Sequence, residues 1–369
     1  MPHFKCKGIR IAGIASAVPE HEVTVDSLAD TFGKKVVSKL QDLTGIQRFR
    51  KTDENQTASD LGFAAGKHLL EAKNVNPKKI GGLTFVSHSG DYRRPATACV
   101  LHKRLGLSKD CAAFDVNLGC SGYPYGLFQA ASLMRNSDIE TLLLICAESL
   151  TKIVGSNDRS TAPLFGDCGT ATLLEKANQE EGISGIVRTD GSGYRAVIVP
   201  AGGFRNRFAS RQELKWPDSN MRSLHDIYMN GPAVLEFTLT QVPSLVNDFL
   251  CRHNTSIDKY DCLALHQANL HIIKQVTRML KIPSENVPIS LDRYGNTSGA
   301  SIPLTLCDAY SSRNTLDRVR VLMCGFGVGL SLGVASAEIS TDDLLPVITT
   351  SESFDEGKIN LPTELQSVE

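Results

Sequence analysis

Apolar residues in this chain fall into short dense blocks separated by longer, amphipathic runs. Leu83 to Val86, Ala112 to Val116, the block TLLLICAES from Thr141, Leu263 to Leu265 and RVRVLMCGFG from Arg318 are rich in Val, Ile, Leu and Phe and end in polar or small residues, the signature of strands. Residues 57–73, 121–135, 231–252 and 268–281 spread their apolar positions at helical spacing. Strands alternating with helices in this way predict parallel sheets held between helices.

The order of the blocks repeats. Leu83-Thr84-Phe85-Val86-Ser87-His88 is answered by Leu263-Ala264-Leu265-His266-Gln267, and Gly119-Cys120-Ser121-Gly122 by Asn296-Thr297-Ser298-Gly299. Arg135-Asn136-Ser137 leads into one strand block, as Arg313-Asn314-Thr315 leads into the other. The spacings agree: from 83 to 120 is 37 residues and from 263 to 297 is 34, followed by 25 from 120 to 145 and 25 from 297 to 322. One βαβ-type unit used twice is the economical explanation.

That duplication divides the chain into residues 1–175 and 231–339. Between them, residues 176–230, with GSGYR and AGGFRNRFASR, break the periodicity and predict an excursion over the surface or near a site mouth. Residues 340–369 form an acidic extension, with Asp342, Asp343, Glu352, Asp355, Glu356, Glu364 and Glu369, expected to be adherent or partly disordered. The opening MPHFKCKGIRIAGIASAVPE suits a first strand better than a signal segment, because Arg10 interrupts the apolar stretch and Pro19 soon follows.

A length of 369 residues exceeds the usual single core and agrees with two units. A net charge of -1, from 39 basic and 40 acidic residues, gives no case for nucleic acid or an anionic membrane surface. Any anionic ligand must therefore meet a local basic patch. No apolar run approaches the roughly 18 residues a membrane span needs. The ten cysteines show neither CxxC pairs nor zinc-type spacing, so no metal is expected, and most fit small buried hydrophobes in a reducing cytosol.

One cysteine stands apart. Cys120 falls where the apolar run Ala112 to Val116 meets a helical run through a turn of small residues. A thiol at a helix N-terminus faces unpaired N–H groups and the positive end of the macrodipole, which favour thiolate and predict a pKa below the free value of about 8.5. Alone, such a cysteine reads as structural. LHQAN around His266 and YGNTSGAS around Asn296 supply the polar partners a nucleophile needs, although His266 by itself could be a core histidine and Asn296 a turn residue. His88, His102, His225 and His253 are assigned surface or packing roles. The glycine loop 325–333 lacks the helix start and downstream acid of a dinucleotide fingerprint, so no cofactor is expected.

Taken jointly, FDVNLGCSG, FGDCGTATL, LHQAN and GNTSGAS resemble β-ketoacyl-acyl-carrier-protein synthase III of the thiolase superfamily, with LTGIQRFR similar to its TGI-x-x-R segment and CGFGVGLSLG to its C-terminal glycine loop. The resemblance implies a five-layered α/β/α/β/α thiolase-like fold of two similar halves. It also implies a cytoplasmic homodimer with an acyl carrier protein as partner. The implied reaction is decarboxylative Claisen condensation of an acyl primer, from acyl-CoA or acyl-carrier-protein, with malonyl-acyl-carrier-protein. Cys120, His266 and Asn296 become the catalytic residues, and the backbone N–H groups of Cys120 and Val328 the oxyanion hole. Arg159, Arg94 and Phe326 become substrate-binding residues. Two alternatives stay open on the same fold: a transferase that passes the acyl group on without decarboxylation, and a non-catalytic partner subunit.

The departures from the family pattern concern substrate. A tryptophan that often precedes TGI and stacks on CoA adenine is replaced by SKLQDL near Lys39, and Trp216 is the only tryptophan in the chain. The arginine that usually follows HQANL is His271, leaving Lys274, Arg278 and Lys281 to meet an acidic carrier. Arg94 stands where relatives carry an apolar residue that reaches into the partner's acyl pocket. A buried unpaired guanidinium there would be costly, so Arg94 must turn to solvent, pair with a protein carboxylate, or meet an anionic or hydroxylated primer, and the third option would make the primer short and polar, such as a dicarboxylic half-thioester.

Overall fold

The computed structural model describes residues 2–312 and 316–360; Arg313-Asn314-Thr315 and the last acidic residues, Glu364 and Glu369, lie outside them. The main strands are β1 (His3–Lys7), β2 (Ile9–Pro19), β3 (Gly82–Val86), β4 (Ala112–Val116), β5 (Thr141–Glu148), β6 (Cys168–Lys176), β7 (Gly182–Thr189), β8 (Cys262–Leu265), β9 (Arg318–Gly327), β10 (Ser331–Ser340) and β11 (Ile348–Thr350). The main helices are α1 (Lys34–Thr44), α2 (Ala58–Ala72), α3 (Thr97–Arg104), α4 (Gly122–Arg135), α5 (Gly231–Arg252), α6 (Leu270–Leu280) and α7 (Ser301–Tyr310).

Two sheets organise them, one in the order β11-β2-β6-β5-β3-β4 and the other β1-β7-β10-β9-β8. Helices α4 and α7 pack between the sheets, α2 and α3 cover the outside of the first, and α5 and α6 cover the second, giving five layers. Strand alternation explains why. In β5, Leu142, Leu144 and Cys146 join the central core with Leu127 of α4 and Leu306 of α7, while Leu143 and Ile145 face the outer core beneath α2. In β9, Val319, Val321 and Met323 face the same centre, and Leu322, Cys324 and Phe326 face α5 and α6. A period of two on strands buried on both faces produces the nearly continuous apolar blocks seen in the sequence.

The sheets are mixed rather than parallel. β3 pairs in parallel with β4 and β5, and β8 with β9, but β5–β6, β2–β6, β9–β10 and β7–β10 are antiparallel. Only three residues separate β9 from β10, too few for the crossover that a parallel pair requires. The repeat is visible in the pairing, with β3, β5 and β6 of one sheet matched by β8, β9 and β10 of the other.

Two segments are more ordered in the sheets than their composition suggests. β7, at the start of the predicted excursion, lies between β1 and β10. In the acidic extension β11 pairs with β2, Lys73 binds Asp343 at 2.5 Å, and Arg104 binds Glu352 at 3.2 Å. Local acidity masked a strand that carries only three residues of pairing.

Candidate active site

Cys120, His266, Asn296, Val328 and Phe326 gather in one place, while the other predicted site residues lie apart from it. β4 stops at Val116 and α4 starts at Gly122, so Cys120 sits in the connecting turn, just ahead of the helix. The Gly122 N–H donates to Gly119 O at 2.6 Å, and the Ser121 hydroxyl bonds that of Ser331 at 2.6 Å, tying this turn to the β9–β10 turn. Gly327 explains the closeness of that approach: a Cβ there would lie 2.6 Å from Cys120 Cβ and 3.0 Å from Sγ.

His266 follows β8, and its N–H donates to Cys324 O at 2.8 Å. Of the rest of HQAN, Gln267 and Asn269 hold the backbone in place, and Ala268 and Asn269 also line the site cavity. Gln267 donates to Leu265 O at 2.8 Å and accepts from the Ser290 N–H at 3.1 Å, while Asn269 caps α6 by accepting from the Ile272 N–H at 2.8 Å. The His266 ring is held by Ser301 Oγ, 2.7 Å from Nδ1, and packs edge-on against Phe326 at 5.4 Å. Burial drives its pKa down to about 3, opposed by a hydrogen bond to the Ser298 backbone. The imidazole is therefore neutral throughout the physiological range.

Asn296 is fixed through its backbone, which donates to Leu164 O at 2.9 Å and accepts from the Gly166 N–H at 3.1 Å. Its Oδ1 accepts from the Ser298 N–H at 2.9 Å, so Nδ2 is the half of the amide left to donate to a substrate. The loop holding Leu164 is clamped in turn. Arg222 and Asp158, both fully buried, pair at 2.6 Å. Asp167 accepts from Thr52 and Thr151 hydroxyls at 2.7 and 2.5 Å.

Cys120, His266, Asn296, Val328 and Phe326 line one cavity of about 660 Å³. Its far walls are apolar, including Leu150, Ile153, Val197, Val199, Ile227 and Met229. His88 also lines it and is exposed there, in keeping with the surface position expected from sequence, while desolvation by the surrounding protein lowers its pKa. His102 and His225 instead bond backbone carbonyls of Ser108 and Ala209, and His253 packs beside Phe249.

The thiol departs from expectation in its ionisation. Burial pushes Cys120 up to about 11, with a smaller push from the nearby Glu148 carboxylate, against the pull of the Ser298 hydroxyl and the Val328 and Cys120 N–H groups. Desolvation of a thiolate in this enclosed site outweighs what the helix terminus supplies, so the resting group is a thiol. Two residues that sequence reading missed surround it. Ser298 Oγ lies 3.7 Å from Sγ, and Glu148, at the end of β5, accepts from Ser89 Oγ at 2.6 Å, the His88 N–H at 3.1 Å, and Ser87 and Ser298 hydroxyls at 3.4 Å each. An acid ending a strand carries no motif, although its position just after the block TLLLICA, opposite the polar end of β3, was a usable signal.

The remaining predicted residues lie outside this cavity's walls. Arg159 is exposed and reaches Asp218 O at 3.5 Å. Arg94 is exposed. Trp216 stacks on Tyr228 at 5.1 Å and donates to Arg222 O, while Lys39 is exposed. Lys274 and Arg278 are exposed on α6, with Lys281 just past its end; Ile272 of the same helix lines the cavity. Among the described residues no group of three or more His, Cys, Asp or Glu could hold a metal ion, and no helix is long and apolar enough to cross a membrane.

Family models agree with this layout. The model for 3-oxoacyl-acyl-carrier-protein (ACP) synthase III matches residues 114–191, and that for the C-terminal part of the same enzyme matches residues 250–339. A β-ketoacyl-acyl-carrier-protein synthase III from Rhodopirellula baltica is 34% identical over 350 residues, covering 89% of this chain and 98% of the relative. Another, from Caldanaerobacter subterraneus subsp. tengcongensis, is 34% identical over 325 residues, covering 87% and 95%. The crystal structure of a 3-oxoacyl-(acyl-carrier protein) synthase from Burkholderia xenovorans superposes with a TM-score of 0.90 at 36% identity, covering 95% of this chain and 99% of that one.

Proposed function

The chain belongs to the 3-oxoacyl-acyl-carrier-protein synthase III family, and from that premise we propose that it is a condensing enzyme of fatty acid synthesis that loads an acyl primer on Cys120 and joins it to malonyl-acyl-carrier-protein. The observation that carries this reading is one cavity walled by a thiol, an imidazole and a carboxamide, contributed by both halves of the molecule.

The residues divide the work. The Cys120 sulfur attacks the primer's thioester carbonyl, the backbone N–H groups of Cys120 and Val328 hold the oxyanion, and the carrier thiol leaves. Malonyl thioester then loses CO2, and the resulting enolate needs hydrogen-bond donors at its oxygen. Neutral His266 and the Asn296 amide supply them. The enolate carbon attacks the acyl carbonyl, the new C–C bond forms, and the Cys120 sulfur departs as a thiolate that takes up one proton from solvent, balancing the carboxylate charge lost with CO2.

Apolar cavity walls favour an apolar acyl chain over the dicarboxylic primer suggested by Arg94, since a carboxylate buried against Leu150, Ile153 and Val199 would lose its solvation without a partner. Lys274, Arg278 and Lys281 are proposed to meet the acidic carrier beside the cavity, and Arg159 to meet the primer donor. A cytoplasmic homodimer is part of the proposal. It is supported by β4, an edge strand of its sheet whose Ala113, Phe114 and Val116 are only partly buried.

The test is product analysis with an acyl thioester and malonyl-acyl-carrier-protein. Stoichiometric CO2 and 3-oxoacyl-carrier-protein support the reading. Acyl transfer to an amine or hydroxyl without CO2 would replace it with the non-decarboxylating alternative. Acetyl, butyryl and glutaryl primers compared side by side decide the chain type, with glutaryl expected to be the poorest.

A further inference from the structure

The reaction needs a proton to leave a thiol that the site holds neutral, and neither the His266 ring nor the helix terminus accounts for where it goes. A continuous chain of hydrogen-bonding atoms leads away from the sulfur. Cys120 Sγ lies 3.7 Å from Ser298 Oγ, which lies 3.4 Å from Glu148 Oε1. Ser298 is held with φ at +52°, a left-handed conformation uncommon for a residue with a side chain. Its own N–H is fixed by Asn296 Oδ1. That backbone holds the hydroxyl between the thiol and the carboxylate.

We propose that the Glu148 carboxylate is the terminal proton acceptor for the Cys120 thiol during primer loading, acting through the Ser298 hydroxyl. The S–H proton passes to Ser298 Oγ as the Ser298 hydroxyl proton passes to Glu148 Oε1. The sulfur electron pair forms the new bond to the primer carbonyl carbon, the C–S bond to the carrier breaks, and the leaving thiolate recovers the proton by the reverse path. No oxidant or further reactant enters.

Charge accounting favours this route. Before transfer the buried cluster holds one negative charge on Glu148, and after transfer it holds one on sulfur, so burial is not made worse by a second ion. A proton moved to His266 instead would create a cation in the same enclosed space beside a thiolate, with Glu148 still charged. Burial raises Glu148 to about 7, partly offset by its four hydrogen bonds, which brings it toward the thiol and leaves it ionised above neutrality. The other titratable groups around it are His88 and Cys120, with Cys146 on its own strand and Cys168 opposite it on β6. His88 and the cysteines are all shifted by burial toward their neutral forms. The next carboxylate, Asp167, is bonded to Thr52 and Thr151 rather than to this cluster.

The proposal rests on the reading of Cys120 as the acylated nucleophile, and the experiment separates the two. Single-turnover loading of an acyl thioester is followed by intact mass from pH 5.5 to 9.5 for the wild type, Glu148→Gln and Ser298→Ala, with a folding check for each variant. In the wild type the loading rate should rise about tenfold per pH unit and level off above about pH 7. In both variants it should fall by about 100-fold or more at pH 8, and it should keep rising with pH toward ionisation of the thiol itself. A purely structural role for Glu148 would lower the rate without removing the plateau. If the wild type loads and the folded variants keep its rate and plateau, the relay is wrong and the nucleophile stands. If the wild type never loads, both fall. Should Glu148→Gln fail to fold, Ser298→Ala decides alone, because Glu148 keeps its other three donors there.

Discussion

Gly327→Ala is the most demanding test of how the site is packed. Gly327 adopts φ +154°, and a methyl group there would lie 2.6 Å from Cys120 Cβ and 3.0 Å from its sulfur. Ordinary contact begins near 3.4 Å, so the turn carrying the thiol would have to retreat by about 0.8 Å, with overpacking costing about 1–3 kcal/mol. The backbone conformation adds about 1–3 kcal/mol for a residue with a side chain. Together these give about 2–6 kcal/mol. For a chain of this length, at about 2.1 cal/mol/K per residue, that lowers Tm by about 3–8 °C. A displacement near 1 Å at a nucleophile is worth about 100-fold in rate. Calorimetry and single-turnover acyl loading measure the two effects, with Gly191→Ala as a control because nothing lies within 4 Å of the added methyl. The packing argument fails if Gly327→Ala melts like the wild type and loads Cys120 within twofold of it.

Other substitutions probe other joints of the site. Asn296→Ala and His266→Ala should each slow malonyl decarboxylation by about 100- to 1000-fold, the scale of losing one oxyanion donor, while primer loading, measured separately by mass, changes far less. Arg222→Ala strands the fully buried Asp158 carboxylate and should cost about 3–5 kcal/mol in a denaturant titration; a loss under 1 kcal/mol would mean that the clamp does not hold the cavity loop. Lys274→Glu with Arg278→Glu should raise KM for the carrier-bound substrate severalfold at low salt, with the effect shrinking at high salt. Unchanged KM would move carrier docking elsewhere.

What could be read from the sequence follows from how local each signal is. Buried strands and the helix patterns of 57–73 and 231–252 depend on side-chain periodicity along one segment, and both stand in the structure as α2 and α5. Cys120, His266 and Asn296 were reachable because each closes a motif whose other members do local structural work, such as Gln267 and Asn269 around His266. Strand direction was not legible, because the short β9–β10 turn looks from sequence like a glycine loop. Glu148 and Ser298 were missed for a different reason. Their roles exist only once the ends of β5 and β3 and the turn before α7 meet, at sequence separations of 60 and 150 residues. The upward shift of the thiol was not legible, since a helix terminus is visible in a sequence, whereas the desolvation that opposes it depends on the residues that close around Cys120 in the fold.

Intact mass after incubation with an acyl thioester, comparing the wild type with Cys120→Ala, bears most directly on the whole account. One acyl group should accumulate on the wild-type chain, map to Cys120 and disappear on addition of malonyl-acyl-carrier-protein, with no adduct on Cys120→Ala. An adduct that persists in Cys120→Ala, or a wild-type chain that turns over substrate without ever carrying an acyl group on that sulfur, would contradict it.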